Sequence, residues 1–137
     1  MFSKANIIAT LVGFFILFML GWIFYGILAA DFFEAQSTIN IMKDPPEMGL
    51  IALSCLIQGF VLSTLYGKFA GGEHSFGKGF GLGAWIGAFL GFGIGLMWYA
   101  TSDLMTLTGT LADMVWVVIE YGFTVGIIAL IYKALDK

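Results

Sequence analysis

Glu120 is the acidic residue set deepest in an apolar run of this chain, within LADMVWVVIEYGFTVGIIALIY. At helical rise it lies about 10 Å beyond a helix start placed at Asp113. In a bilayer, a carboxylate at that depth costs several kcal/mol unless it is paired, hydrated or protonated. Its chemistry is therefore proton uptake or cation binding; the alternative is a neutral, hydrogen-bonded glutamate that ties two helices together. On a helix, Asp113, Glu120 and Thr124 share one face, while Gly122, Gly126 and Ala129 occupy the opposite one. Gln58, near the middle of another apolar segment, sits one turn from Ser54 on the same face. Asn6, Thr10, Gly13 and Gly21 form a polar-to-small stripe on a third segment. These groups are expected to meet Glu120 in one interior network. At about 0.6 kcal/mol per interhelical hydrogen bond, they would adjust packing more than drive it.

Other chemistries find little support. No serine has a histidine partner at a matching depth, and no carboxylate pair resembles a hydrolase dyad. The stretch GKGFGLG (77–83) lacks the phosphate-loop spacing and the serine or threonine after lysine. One histidine and one cysteine exclude most metal-site constellations. Glu73 and His74 are expected to be solvated, and Cys55, alone in an apolar run, forms no internal disulfide. The chain is expected to be no enzyme and to hold no cofactor or metal. All six basic residues are lysines and the net charge is -3, which speaks against nucleic acid as a partner.

The elements that must position these groups follow from composition. Of 137 residues, 60% are hydrophobic and 11% charged, which points to an integral membrane protein rather than a soluble domain. At about 20 residues per span, the length allows four transmembrane helices. The expected fold is all-α: a single polytopic domain over 1–137, with spans at about 6–30, 48–66, 79–100 and 111–132. The first apolar run is too long for a signal core, and Leu28 stands where a cleavage site needs a small residue, so it is read as a retained helix. Pro45 and Pro46 precede the second span. Trp22, Tyr25, Tyr66, Trp98, Tyr99 and Tyr132 fall near span ends, as interfacial aromatics do. The connection 31–47 mixes acids with Phe32, Phe33, Ile39, Ile41 and Met42, a pattern for a surface-lying helix or an extension of the first span.

Lys4, Lys68, Lys78, Lys133 and Lys137 fall on one side of this layout and Lys43 on the other. The positive-inside rule then puts both termini and the 68–78 connection in the cytoplasm. The opposite side carries Asp31, Glu34, Asp44, Glu47, Asp103 and Asp113. Such a chain belongs in the bacterial inner membrane as a multi-pass protein.

Small residues dominate the third span. Gly79, Gly83, Gly87, Gly91 and Gly95 recur every fourth position, with Gly77, Gly81 and Gly93 between them. In lipid such residues mark close helix contacts. A four-residue repeat drifts by about 40° per step on an α-helix, so five glycines sweep about 160°. The expectation is at least two close neighbours, one inside the bundle and one in a second copy. A bulky ridge of Leu82, Trp85, Phe89, Phe92 and Leu96 backs this arc and should face lipid or fill a groove. Gly122 and Gly126 are the corresponding packing positions of the fourth span.

The segment Leu20-Gly21-Trp22-Ile23-Phe24-Tyr25-Gly26 closing the first span, with three further spans after it, resembles a family of small four-helix bacterial membrane proteins, the domain of unknown function 1761 group. The resemblance implies the four-helix membrane fold and carries no catalytic or binding residues. Function is therefore expected to be non-enzymatic. The leading expectation is a glycine zipper working through helix-helix contacts in the bilayer, as a homo-oligomer or an accessory subunit of a membrane complex. The alternative is a small proton or cation channel or transporter built on Glu120, helped by Gln58, Asp113 and Thr124.

Overall fold

Three hydroxyl side chains start three of the long helices. The computed structural model describes residues 2–40, 43 and 45–136. In it, Ser3 accepts from the Asn6 amide at 3.1 Å, Ser75 from the Lys78 amide at 3.1 Å and Thr106 from the Gly109 amide at 3.2 Å. Each bond satisfies an N–H that the first helical turn leaves without a backbone partner. The helices are α1 (Lys4–Leu28), α2 (Ala30–Gln36), α3 (Met48–Phe69), α4 (Phe76–Thr101) and α5 (Leu107–Leu135). The chain is all-helical, and α1, α3, α4 and α5 are each long and apolar enough to cross a membrane. Among the described residues there is no strand, only an isolated bridge from Ser37 to Met105 that ties the 37–40 segment to the 102–106 loop. The helix expected in the 31–47 connection is the short α2, following directly on α1, with Phe33 packed on Phe24 and Tyr25. Ile41, Met42, Asp44 and Lys137, used above for the loop pattern and the charge bias, lie outside the described residues.

The helices form two close pairs, α1 with α3 and α4 with α5, joined along α1 and α5. Gly13 and Gly59 mark the first crossing: a Cβ on Gly59 would lie 2.7 Å from the Thr10 carbonyl oxygen. At Gly71 and Gly72 the α3–α4 turn runs through positive φ (62° and 87°), where glycine carries no steric penalty. Lys78 Nζ caps the end of α3 by donating to the Ala70 carbonyl at 2.6 Å.

The α4–α5 contact is where the glycine repeat acts. A Cβ at Gly79 or Gly83 would run into the carbonyl oxygen of Val125 or Tyr121, and one at Gly87 would lie 2.6 Å from Val118 Cα. At Gly91 it would stand 2.9 Å from the Met114 carbonyl oxygen. Four glycines of the repeat thus face one helix, the close neighbour expected inside the bundle. Phe89–Ile94 is π-helical. Its wider turn stops the α-helical drift from accumulating past Gly87, which keeps Gly91 on the α5 side. Gly95 meets only the Met114 side chain, at 3.6 Å, an ordinary contact. From the other side, the rings of Phe80 and Phe76 lie over Gly122 and Gly126. Gly77, Gly81 and Gly93 face open space, and Trp85, Phe89, Phe92 and Leu96 are exposed, whereas Leu82 packs against the core.

Burial is uneven along the bundle. In α1 it is confined to Ala5–Leu17, and in α3 to Cys55–Tyr66, whereas α5 has buried residues along most of its length. The end carrying the start of α1 and the end of α5, here the basal end, is therefore tightly filled. A polar network closes it. Asn6 Nδ2 donates to Ser63 Oγ at 3.1 Å, Thr64 Oγ1 at 3.2 Å and the Tyr132 hydroxyl at 3.2 Å. Tyr132 in turn donates to the Ser63 carbonyl at 2.9 Å. The Tyr66 hydroxyl lies 3.2 Å from His74 Nδ1, and His74 Nε2 lies 3.0 Å from Asp136 Oδ2.

Two expectations are corrected here. Tyr66 and Tyr132 are core residues, 0% and 5% exposed, because their hydroxyls find partners inside the bundle instead of at an interface. His74 is not solvated: its side chain is 5% exposed, held between Tyr66 and Asp136. Glu73 is exposed, as expected. Removing one hydroxyl should loosen this end. Ser63→Ala is expected to lower the unfolding free energy in an SDS titration by about 1–2 kcal/mol, since Asn6 and Tyr132 lose buried partners. An unchanged unfolding curve would show that the network contributes nothing.

Candidate functional site

The distal half of the bundle is loosely filled because α1 and α3 bury nothing beyond Leu17 and before Cys55. Between them and the α4–α5 pair lies a cavity of about 620 Å³. Its polar lining includes Glu120 and Tyr121 of α5, Gln58 of α3 and Tyr25 of α1. Both π-helical turns border it: Tyr25 and Gly26 belong to Phe24–Leu28, and Leu90 to Phe89–Ile94. Such turns recur at functional sites because they re-aim side chains within an otherwise regular helix.

Glu120 lies deeper than the sequence placed it. The helix begins at Leu107, not near Asp113, so Glu120 stands about 20 Å along a helix of 29 residues, close to its middle. Its residue exposure is 8%. No lysine borders the cavity, and the ion pairs among the described residues, Lys43–Glu47 and His74–Asp136, lie elsewhere. The buried indole N–H of Trp116, one turn back, lies toward the Glu120 carboxyl but outside full hydrogen-bond geometry, and its ring stacks on Phe24 at 3.9 Å. Across the cavity, Gln58 Oε1 accepts from the Tyr121 hydroxyl, and Gln58 Nε2 donates to Ser54 Oγ at 3.0 Å. Gln58 is thus oriented at both ends, and the Glu120 carboxylate is left without a counter-charge.

The four candidate polar residues separate. Glu120 and Gln58 share the cavity. Asp113 accepts from the Tyr25 hydroxyl and borders a second cavity of about 880 Å³, which is also lined by Glu34 and Lys43. Tyr25 borders both cavities, so its bond to Asp113 stands on the boundary between them. Thr124 is fully buried and donates to the Glu120 carbonyl at 2.7 Å, which occupies its hydroxyl with the backbone. The expected single network is in fact two. Asn6 and Thr10 belong to the basal end, Gly13 to the α1–α3 crossing, and Gly21 alone of that stripe reaches the Glu120 cavity.

Sequence reasoning missed Tyr25, Tyr121, Trp22 and Trp116 as site residues. Trp22 and Tyr25 read as interfacial aromatics. Tyr121 had a signal in its place directly after Glu120, but only the packing of α3 against α5 brings it to Gln58. Among the described residues no group of three or more His, Cys, Asp or Glu side chains is placed to hold a metal ion. The segment Leu20–Gly26 that carried the family resemblance supplies Gly21, Trp22, Tyr25 and Gly26 to the cavity wall. No family model, curated protein or solved structure matches the chain.

Proposed function

We propose that this chain is a multi-pass inner-membrane protein that moves a proton or a cation by way of Glu120. Both termini and the α3–α4 turn are assigned to the cytoplasm, which the placement of Lys4, Lys68, Lys78 and Lys133 near the basal end supports. The observation that carries the reading is the Glu120 carboxylate, buried at mid-helix in a cavity with no lysine on its walls. An intramembrane acid that lacks an internal counter-charge takes its positive charge from a proton or a ligand. The packed basal end and the open distal half support a site reached from the side opposite the cytoplasm. The chain acts without catalysis and without a bound cofactor.

The role of the glycines shifts accordingly. Gly79, Gly83, Gly87 and Gly91 are engaged within the chain. A second reading, self-association or service as an accessory subunit, is supported by the open strip at Gly77, Gly81 and Gly93. It is compatible with transport, since that strip lies away from α5.

The reading is tested by reconstitution. Wild-type protein in proteoliposomes is expected to dissipate an imposed proton or potassium gradient faster than protein-free vesicles, and Glu120→Gln is expected to return the rate to the vesicle background. A variant that conducts as the wild type does would remove Glu120 from the pathway.

A further inference from the structure

The cavity is lined mainly by side chains that suit an organic ligand. Trp22, Tyr25, Phe18 and Tyr121 bring aromatic rings to it, and Leu17, Ile51, Leu90 and Val117 supply apolar surface. The one ionisable acid among them is Glu120. At about 620 Å³ the space falls within the range of pockets that bury a drug-sized molecule, and far exceeds a single desolvated metal ion.

The oxygen donors argue in the same direction. A hard metal cation needs six or more oxygens, or several retained waters, held at short range. Here Gln58 Oε1 already accepts from Tyr121, and the Tyr25 hydroxyl is donated to Asp113. With the lone pairs these oxygens keep, Gln58 Oε1, the Tyr25 and Tyr121 hydroxyls and the two Glu120 oxygens make five side-chain donors on the walls, short of six. No cluster of three metal-ligating side chains occurs among the described residues. An organic cation has no such demand. It needs one counter-charge, which Glu120 provides, and aromatic faces, each worth about 0.5–2 kcal/mol to a desolvated cation.

Access follows from exposure. Trp22 (53%), Met48 (45%) and Ile51 (40%) stand at the cavity with much of their surface uncovered. The α3 and α4 helices touch only sparsely. With the helices spanning a bilayer, this flank faces lipid, where amphiphilic cations concentrate.

We propose that the Glu120 cavity binds a lipophilic organic cation, an amine or quaternary onium of drug size, that enters sideways from the bilayer leaflet opposite the cytoplasm. This rests on the reading that Glu120 handles a cation, and adds the class of cation it takes. Glu120 supplies the charge, and Trp22 and Tyr25 supply the ring faces at the flank.

The probe is tetraphenylphosphonium, titrated calorimetrically into the full chain in nanodiscs, with empty nanodiscs subtracted. Saturable binding is expected for the wild type. It should weaken at least roughly tenfold in Glu120→Gln, corresponding to about 1.4 kcal/mol, and more mildly in Trp22→Ala. Glu120→Asp, which keeps the charge, should retain it, and excess potassium chloride should not displace the probe. Equal binding by wild type and Glu120→Gln, or no saturable binding, would overturn the proposal. If binding is absent but proton or potassium flux still depends on Glu120, the organic ligand alone is wrong. If both are absent, the transport reading fails with it.

Discussion

Gly83→Ala is expected to disrupt the bundle more than any other single methyl addition in α4. The added Cβ would overlap the Tyr121 carbonyl oxygen and lie 2.7 Å from the Tyr121 carbonyl carbon and 2.8 Å from Gly122 Cα. All three are backbone atoms of α5, so no side chain can rotate away, and the two helices must separate. Overpacking typically costs about 1–3 kcal/mol where side chains can yield; here the loss should exceed about 3 kcal/mol. It would appear as a collapse of the folded fraction in an SDS titration. Gly81→Ala is the matched control. It lies two residues earlier in open space, and alanine there should leave stability unchanged or raise it by up to about 1 kcal/mol through helix propensity. Equal losses at both positions would refute the close approach of α4 to α5.

Glu120→Gln is expected to leave the folded state as stable as the wild type, or to stabilise it by about 1 kcal/mol. Glutamine has nearly the same shape and keeps the aliphatic contacts. It removes an acid that is 8% exposed and has no lysine beside it in the cavity. The Thr124 hydroxyl donates to the residue-120 backbone carbonyl, a bond the substitution does not touch. A glutamate retained to hold helices together behaves in the opposite way, because losing a buried tie leaves its partners unsatisfied and costs about 1–3 kcal/mol. The direction of this change separates a carboxylate kept for function from one kept for packing.

The fold was largely legible from composition. Long apolar runs of spanning length give long apolar helices whatever the details of packing, and the four described here overlap the expected spans, most ends lying a few residues further out and the first helix ending earlier, at Leu28. The extension has a local cause at α5, where Thr106 caps a turn that begins ahead of Asp113. Partnership between helices was harder to read. Helical periodicity sorts residues onto faces but assumes an unbroken α-helix, so the π turn at Phe89–Ile94, which halts the drift past Gly87, could not be inferred.

The candidate site was legible in its charge and not in its company. Glu120 stood out because an acid in an apolar run is costly, and Gln58 because it is polar at mid-span. Asp113 and Thr124 shared its face by helical arithmetic, yet one bonds Tyr25 at the boundary of another cavity and the other bonds the backbone. The basal network of Asn6, Ser63, Tyr132, Tyr66 and His74 joins four separate chain segments, so no spacing rule brings its members together.

The most direct test of the account measures ion flux through Glu120→Gln in proteoliposomes, using protein whose unfolding curve has been recorded from the same preparation. The account predicts flux at the protein-free background from a variant at least as stable as the wild type. Wild-type flux from a less stable variant would contradict it, and would make Glu120 a structural tie between helices.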